Sequence, residues 1–343
     1  MDTQLTTSPT SYPALDRCFA SLVVVAETAL FMHGARGIQS ADQRPTAVRG
    51  ALRYWFRALA MAKGPKREAM LVESSVFGSR DRSSHLLLQM RKLEAMAAQG
   101  PQLPHKEDEK HRQVAGCYQA GARFEIKLSR SLTARADPRA ESAVLGAAWV
   151  MFALGGLGAR SRRGAGSFRL EGVTPSWEYP LLSECEDAST MASCLSRGLR
   201  QASDRVGELF PGVALPLDHQ IPALSSDPLR TRIVVAPFGE GEEETQRAKL
   251  MIMLREFKNP AFGLPLMQEG KWVHAADRKI QHFSSPLWAR LHRGKDQWFI
   301  VLTLMLPVPD APGSDVERIH AFMNSLNGRV EVPSNGGVDA EIK

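Results

Sequence analysis

Apolar residues along the first half of the chain alternate between strand-like and helix-like spacing. β-Branched residues dominate 22–28 and predict a buried strand. After a loop, Pro45 opens a segment with apolar residues at helical spacing that ends before Gly64-Pro65, which predicts a helix to about Met61. Four further elements follow: strands at 85–90 and 122–128, a helix at 138–154 and a strand at 167–173.

The second half repeats this order of elements. The patterns predict strands at 231–236, 287–292, 298–306 and 329–332, and helices at 243–257 and 315–326. Both halves therefore have the order βαββαβ, which is the ferredoxin-like or RRM-like arrangement. We predict an α+β protein with two tandem ferredoxin-like domains.

Short matching motifs in the two halves indicate an internal duplication. A Phe-Gly pair follows the first helix of each half, and an Asp-Arg pair and a Ser-Ser pair come before the next strand. In chain order these pairs are Phe77-Gly78, Asp81-Arg82 and Ser83-Ser84, and then Phe262-Gly263, Asp277-Arg278 and Ser284-Ser285.

Breaks in the pattern give the expected domain boundaries. The first domain covers 18–174 and carries an insertion near 93–115, where glycine, proline and a charge run predict a mobile segment. A helical and proline-rich connection follows at 175–229, and a second, degenerate domain covers 230–343.

Composition narrows the class of protein. With 343 residues, 43% of them hydrophobic and 23% charged, the chain has enough apolar residues for packed cores. It lacks an apolar run of about 18 residues and a secretory signal pattern, and its four cysteines have no C-x-x-C spacing. These features predict a cytoplasmic protein with reduced thiols, without a membrane span, a metal site or a cofactor.

Positive charge is concentrated in two segments although the net charge is only +6. Residues 33–67 hold eight arginines and lysines against one acid, and residues 156–170 hold four arginines and no acid. Such clustering indicates a binding site for a polyanion, with solvated surface arginines as the alternative.

Arg49, Arg53 and Arg57 form the first basic feature, a stripe along the helix that begins at Pro45. Like charges at i, i+4 spacing repel one another, so an anion is expected to compensate them. That anion is either a bound phosphate backbone or an acid elsewhere in the fold.

Gly155–Ser167 (GGLGARSRRGAGS) is the second basic feature. Its glycines permit close approach to phosphates and its arginines add charge, whereas a flexible surface loop is the alternative. It lacks the P-loop lysine and the third glycine of a dinucleotide motif. The matching place in the second half holds only Asn327-Gly328-Arg329, so the second domain is expected to contribute less to phosphate binding.

These motifs resemble the RAMP superfamily of CRISPR systems. The segment Arg44–Leu59 (RPTAVRGALRYWFRAL) is similar to the family pattern R-P-x-x-x-[R/K]-G-A-L-R-[FY]-W-[FW]-R-A-L. With Val76–Ser79 and the glycine-rich loop, it most resembles the subunit-one family of type III-B (Cmr) effector complexes. Phe262–Pro265 and Ser284–Leu287 are similar to the second RAMP domain of that family.

The resemblance implies a non-catalytic RNA-binding subunit at the end of an RNA-bound filament, at the 3′ part of the guide RNA. Its implied partners are guide CRISPR RNA, target RNA and other RAMP subunits, in antiviral defence. A metal-independent CRISPR RNA-processing endoribonuclease with His33 as its catalytic residue is the alternative, and a generic RNA-binding adaptor is more distant. The predicted RNA-binding residues are His33, Gly34, Arg36, Arg44, Arg49, Arg53, Arg57, Gly155, Gly156, Gly158, Arg160, Ser161, Arg162, Arg163 and Gly164.

Overall fold

The structure is a computed structural model of the chain. It describes residues 17–106, 112–132, 134–175, 178–210, 223–225, 230–256, 266–268, 271–273, 285–306 and 316–333. The predicted Phe262-Gly263 turn and the Asp277-Arg278 pair lie outside these residues.

The first half holds six strands and three helices among its described residues. In chain order they are β1 (Cys18–Ala26), α1 (Pro45–Ala60), α2 (Lys66–Phe77), β2 (Leu86–Glu94), β3 (Ala97–Pro101), β4 (Val114–Tyr118), β5 (Arg123–Arg130), α3 (Pro138–Leu154) and β6 (Phe168–Thr174). Proline at the first turn opens both α1 and α3, where its missing N–H costs nothing.

The second half follows after α4 (Ala188–Gly207). Its elements are β7 (Thr231–Gly239), α5 (Glu243–Glu256), β8 (Leu266–Gln268), β9 (Lys271–Val273), β10 (Leu287–Arg293), β11 (Trp298–Met305), α6 (Val316–Asn324) and β12 (Val330–Val332).

Two four-stranded antiparallel sheets have the same strand order. The first is ordered β2-β5-β1-β6 and the second β10-β11-β7-β12. In each, the first strand of the unit lies between the third and the fourth, and the second strand lies at an edge. This is the ferredoxin-like order, and it confirms the predicted fold class of two tandem units.

The Ser-Ser motif makes the same contacts in both halves. The Ser84 hydroxyl donates to the carbonyl of Leu86 at 2.7 Å and accepts from its amide at 3.1 Å. The Ser285 hydroxyl makes the same pair of hydrogen bonds to Leu287, at 3.1 and 3.2 Å. Each serine thus satisfies the first residue of an edge strand, which explains why the motif stands at the same place in both units.

Two regions differ from the sequence prediction. The predicted mobile insertion contains a β-hairpin, in which β3 pairs with β4 in an antiparallel register. The helix predicted in the connection is α4, but it is more than a connection, because it packs against α3 of the first unit and against β7 and β12 of the second. Its apolar face is buried through Met191, Leu195 and Leu199, so α4 is a shared core element.

The second sheet is buried on both faces. Ile233, Val235 and Val301 join the core cluster of the first unit, whereas Val234 and Leu302 pack with residues of α5 and α6. This double burial explains the unbroken apolar run of β11, in which every residue is buried.

A buried charged network joins the two units. The Arg290 guanidinium on β10 donates to the carbonyls of Gly155 and Phe168, and its Nε donates to His292 at 2.8 Å. One carboxylate oxygen of Glu27 lies 3.6 Å from Arg290 and 3.3 Å from His292. Burial and the neighbouring Arg290 charge lower the pKa of His292, which favours its neutral form.

Candidate nucleic-acid interface

Three chain segments meet at one end of the first sheet: the loop between β1 and α1, the β3–β4 hairpin and the glycine-rich loop. The Ala159 amide donates to the Phe31 carbonyl at 2.8 Å, and the Gly116 amide donates to the Ile38 carbonyl at 2.8 Å. Ser161 is half-buried in the glycine-rich loop. The backbone hydrogen bonds make one continuous surface of segments that are distant in sequence.

The charges of four cations from three elements act on His105. Burial lowers the pKa of His105, and the charges of Lys106, Arg255, Arg160 and Arg163 lower it further. The hairpin supplies His105 and Lys106, and the glycine-rich loop supplies Arg160 and Arg163. Helix α5 of the second unit supplies Arg255. We call these five residues the basic cluster.

The basic cluster is short of acidic partners among the described residues. Arg160 donates to the Gln113 side-chain oxygen at 2.9 Å, which is a neutral partner. Arg163 and Arg255 have no recorded ion pair within that part of the chain. Burial lowers the pKa values of Arg160 and Arg163, so their charges are partly desolvated without a recorded counter-ion. These charges would therefore attract an anion strongly to the basic cluster.

The β1–α1 loop places two arginines near this surface. Arg36 is 71% exposed and lies 3.8 Å from Asp42. Arg44 is exposed and donates to the His33 carbonyl at 3.0 Å. The His33 ring Nε2 lies 2.8 Å from the Gly116 carbonyl oxygen, so this histidine ties the loop to the hairpin.

The glycines of the predicted phosphate loop are required by the packing of the protein itself. Gly158 has φ +81°, and a Cβ at this position would overlap the carbonyl oxygen of Phe31. Gly166 has φ +63°, and a Cβ at this position would overlap the carbonyl oxygen of Leu157. A Cβ at Gly34, Gly155, Gly156 or Gly164 would also crowd protein atoms. The packing of the protein itself thus requires glycine at these positions, and their contact with RNA phosphates stays a prediction.

Arg162 binds the second unit. Its guanidinium donates to the Ser285 carbonyl and lies 4.5 Å from the centre of the Trp288 ring. The loop backbone also pairs with β10, since the Gly164 amide donates to the Ala289 carbonyl at 2.9 Å. Arg162 therefore serves the contact between the units, and RNA contact by its side chain stays a prediction.

The α1 stripe has its compensating anion inside the fold. Arg53 and Arg57 both donate to the Glu73 carboxylate of α2, which is fully buried. Arg49 donates to the carbonyls of Phe77 and Leu86. Of the two anions expected to compensate the stripe, the structure shows the acid elsewhere in the fold, which is Glu73. RNA contact by these arginines stays a prediction.

Comparison with known proteins bears on the first unit directly. Residues 26–169, from the end of β1 to the start of β6, match the family model described as the RAMP superfamily. The first unit is therefore similar to the RAMP superfamily. The match includes α1 with its arginines and the glycine-rich loop.

Relatives extend the likeness over most of the chain. The CRISPR system Cmr subunit Cmr1-1 of Pyrococcus furiosus is 23% identical over 280 residues, which cover 72% of this chain and 75% of the relative. The crystal structure of apo Cmr1 from that organism has a TM-score of 0.60 at 18% identity, covering 91% of this chain and 98% of the other.

A chain of the type III-B Cmr-beta complex bound to cognate target RNA and AMPPnP, in the presence of ssDNA, has a TM-score of 0.58 at 10% identity. Its alignment covers 90% of this chain and 98% of that one. A chain of the type III-B Cmr-beta complex bound to cognate target RNA has a TM-score of 0.54 at 11% identity, and the alignment covers 90% of this chain and 100% of that one. These likenesses in fold extend over both units.

The described residues contain no cluster of three His, Cys, Asp or Glu side chains suited to a metal ion. None of the helices described combines the length and hydropathy of a membrane span.

Sequence reasoning missed three of the five residues of the basic cluster. His105 and Lys106 lie in the segment expected to be a mobile insertion, and Arg255 lies in the half expected to contribute little. The charge run after Pro104 was a signal in the sequence, but only the pairing of β3 with β4 brings the described part of this segment to the glycine-rich loop. The second unit therefore takes part in this surface.

Proposed function

We propose that this chain is a non-catalytic RNA-binding subunit of a type III-B CRISPR RNA-guided effector complex. It caps the end of the filament at the 3′ part of the guide RNA and helps to hold guide and target RNA for antiviral defence. Other RAMP subunits of the complex are its protein partners.

The relatives support the place in the complex. The curated relative is named as a Cmr subunit, and two of the similar chains belong to Cmr-beta complexes bound to cognate target RNA. Because these likenesses lie at 10–23% identity, the residues that contact RNA have to be argued from this chain's own surface.

The basic cluster is the observation that carries RNA binding. The charges of its four cations act on His105 at one end of the first unit, and Arg36 and Arg44 lie on the neighbouring loop. Phosphates accept hydrogen bonds from arginine and lysine irrespective of the base. This surface therefore suits a guide RNA whose spacer sequence varies.

We expect the double variant Arg163→Ala/Arg255→Ala to bind single-stranded guide RNA about tenfold or more weakly than the unchanged chain, because two phosphate partners are lost. The slope of log affinity against log salt should fall by about 1 to 2. Fluorescence anisotropy with a labelled RNA at several salt concentrations measures both effects.

Arg200→Ala is the matched control, since Arg200 is an exposed arginine on α4 and outside the cluster. It should leave affinity and salt slope unchanged. Equal affinity of the double variant and the control, with both folded by circular dichroism, would remove the basic cluster from the RNA site.

The endoribonuclease alternative is tested by incubating the purified chain with labelled repeat RNA in EDTA. We expect the RNA to stay intact, because the His33 ring contacts the Gly116 carbonyl and bridges two loops. Cleavage by the unchanged chain that disappears in His33→Ala would establish the nuclease instead.

A further inference from the structure

A second basic surface lies at the opposite end of the first sheet. There, the end of β5 meets the starts of β1 and β2, with Ser129 opposite Cys18 and Arg130 opposite Leu86. A cleft of about 520 Å³ opens here between the α2–β2 loop and the segment that leads into α3. Its volume lies within the range of pockets that hold small molecules.

Three exposed arginines line this cleft: Arg82, Arg135 and Arg139. None of them has a recorded ion pair within the described ranges. The acid among the lining residues is Asp137, and it serves as the N-cap of α3 by accepting from the amides of Arg139 and Ala140, each at 3.2 Å. The lining side chains thus carry three positive charges against one negative charge.

The position of Arg139 adds to this imbalance. It follows Pro138 in the first turn of the 17-residue helix α3, where the helix dipole is positive and a cation is unfavourable. An anion in the cleft would relieve the repulsion between this guanidinium, the helix terminus and the other two arginines.

Two lining residues are held in place by the turn before β2. The Ser79 amide donates to the Arg82 carbonyl at 2.9 Å, and the His85 amide donates to the Val76 carbonyl at 2.9 Å. The His85 side chain is only 12% exposed, and its Nε2, 4.0 Å from the nearest Glu141 oxygen, has no recorded hydrogen-bond partner. The backbone hydrogen bonds thus fix Arg82 and His85 at the wall of the cleft, and the exposed arginines are the groups that can reach a ligand.

We propose that this cleft is a second anion site that binds phosphate groups, either successive phosphodiesters of an RNA strand or the terminal phosphates of a free nucleotide. Guanidinium groups match phosphate oxygens through paired hydrogen bonds. The excess of two positive charges suits a ligand with at least two negative charges. The site is distinct from the basic cluster, because the two surfaces lie at opposite ends of the sheet.

Isothermal titration calorimetry of the full chain tests the site with three probes: inorganic pyrophosphate, ATP and a short single-stranded RNA. We expect pyrophosphate to bind, and Arg82→Ala/Arg135→Ala to weaken that binding about tenfold or more. Arg200→Ala should leave it unchanged. Both substituted residues are exposed, so the variant should keep the thermal unfolding midpoint of the unchanged chain.

The RNA and ATP arms identify the source of the phosphate. Weaker RNA binding in the double variant assigns the cleft to an RNA strand, whereas weaker ATP binding with unchanged RNA binding assigns it to a nucleotide. Unchanged binding of all three probes would overturn the proposal. The pyrophosphate measurement does not depend on RNA binding by the basic cluster. Arg163→Ala/Arg255→Ala should leave pyrophosphate binding unchanged, so the two proposals can fail separately.

Discussion

Replacing Arg290 with methionine should lower the free energy of unfolding by about 3–5 kcal/mol, the cost of removing one partner from a buried ion pair. The guanidinium is 1% exposed and donates to the carbonyls of Gly155 and Phe168. Its loss leaves both carbonyls unsatisfied and leaves the buried Glu27 carboxylate without its cation. Urea denaturation followed by circular dichroism measures the change.

Two further variants separate charge from packing. Arg290→Lys keeps the charge but loses the paired donors. Its free energy of unfolding should therefore lie between that of Arg290→Met and that of the unchanged chain. Glu27→Gln/Arg290→Met removes both charges and should recover part of the loss. Arg200→Met is the surface control and should change stability by about 0.5 kcal/mol or less. A loss of that small size in Arg290→Met would contradict a stabilising role for the network.

The sequence predicted the fold well because local patterns decide its elements. Pro45 and Pro138 open helices where helical periodicity begins, and the paired serines precede edge strands in both units. Helix α2 was missed, because its 12 residues lie between two turn signals and expose much of their surface. The sharing of α4 between the two sheets was also missed, since a helical pattern does not reveal its partners.

The candidate site was harder to predict, because charge in a sequence does not show its partner. Arg53 and Arg162 have the same charge as Arg163, but Arg53 binds Glu73 and Arg162 lies over the Trp288 ring. Glu73 carried no signal, being one acid in an ordinary helix. Only the contacts between α1 and α2, and between the loop and β10, separate the arginines that hold the fold from those that are left for a ligand.

Replacing Glu73 with glutamine has the second largest expected effect, a loss of about 3 kcal/mol in the free energy of unfolding. Burial raises the pKa of the Glu73 carboxyl, but hydrogen bonds from Arg57 and Arg53 outweigh burial and hold the pKa below its ordinary value. The amide of glutamine accepts less strongly and places its own donors against two guanidinium groups.

The loss should depend on pH in a defined direction. Since the pKa of Glu73 is lower in the folded chain, its contribution to stability is present above the ordinary carboxyl pKa of about 4.3 and disappears as pH falls through the folded value. Urea denaturation of the unchanged chain and Glu73→Gln at pH 7 and at successively lower pH should therefore give converging free energies. A difference that stays constant down to the lowest pH at which both fold would show that packing, and not the carboxylate charge, stabilises this contact.

The same variant tests whether the α1 stripe contacts RNA. If Arg53 and Arg57 serve only to bind Glu73, then Glu73→Gln frees two partly exposed guanidinium groups on α1. RNA affinity of the folded variant should stay equal or rise slightly, because the freed cations add positive potential. On the same assumption, Arg53→Gln should lower stability and leave RNA affinity unchanged, whereas the predicted RNA contact requires Arg53→Gln to weaken RNA binding. A tenfold loss of RNA affinity in folded Arg53→Gln would return the stripe to the RNA site and make Glu73 its positioning residue.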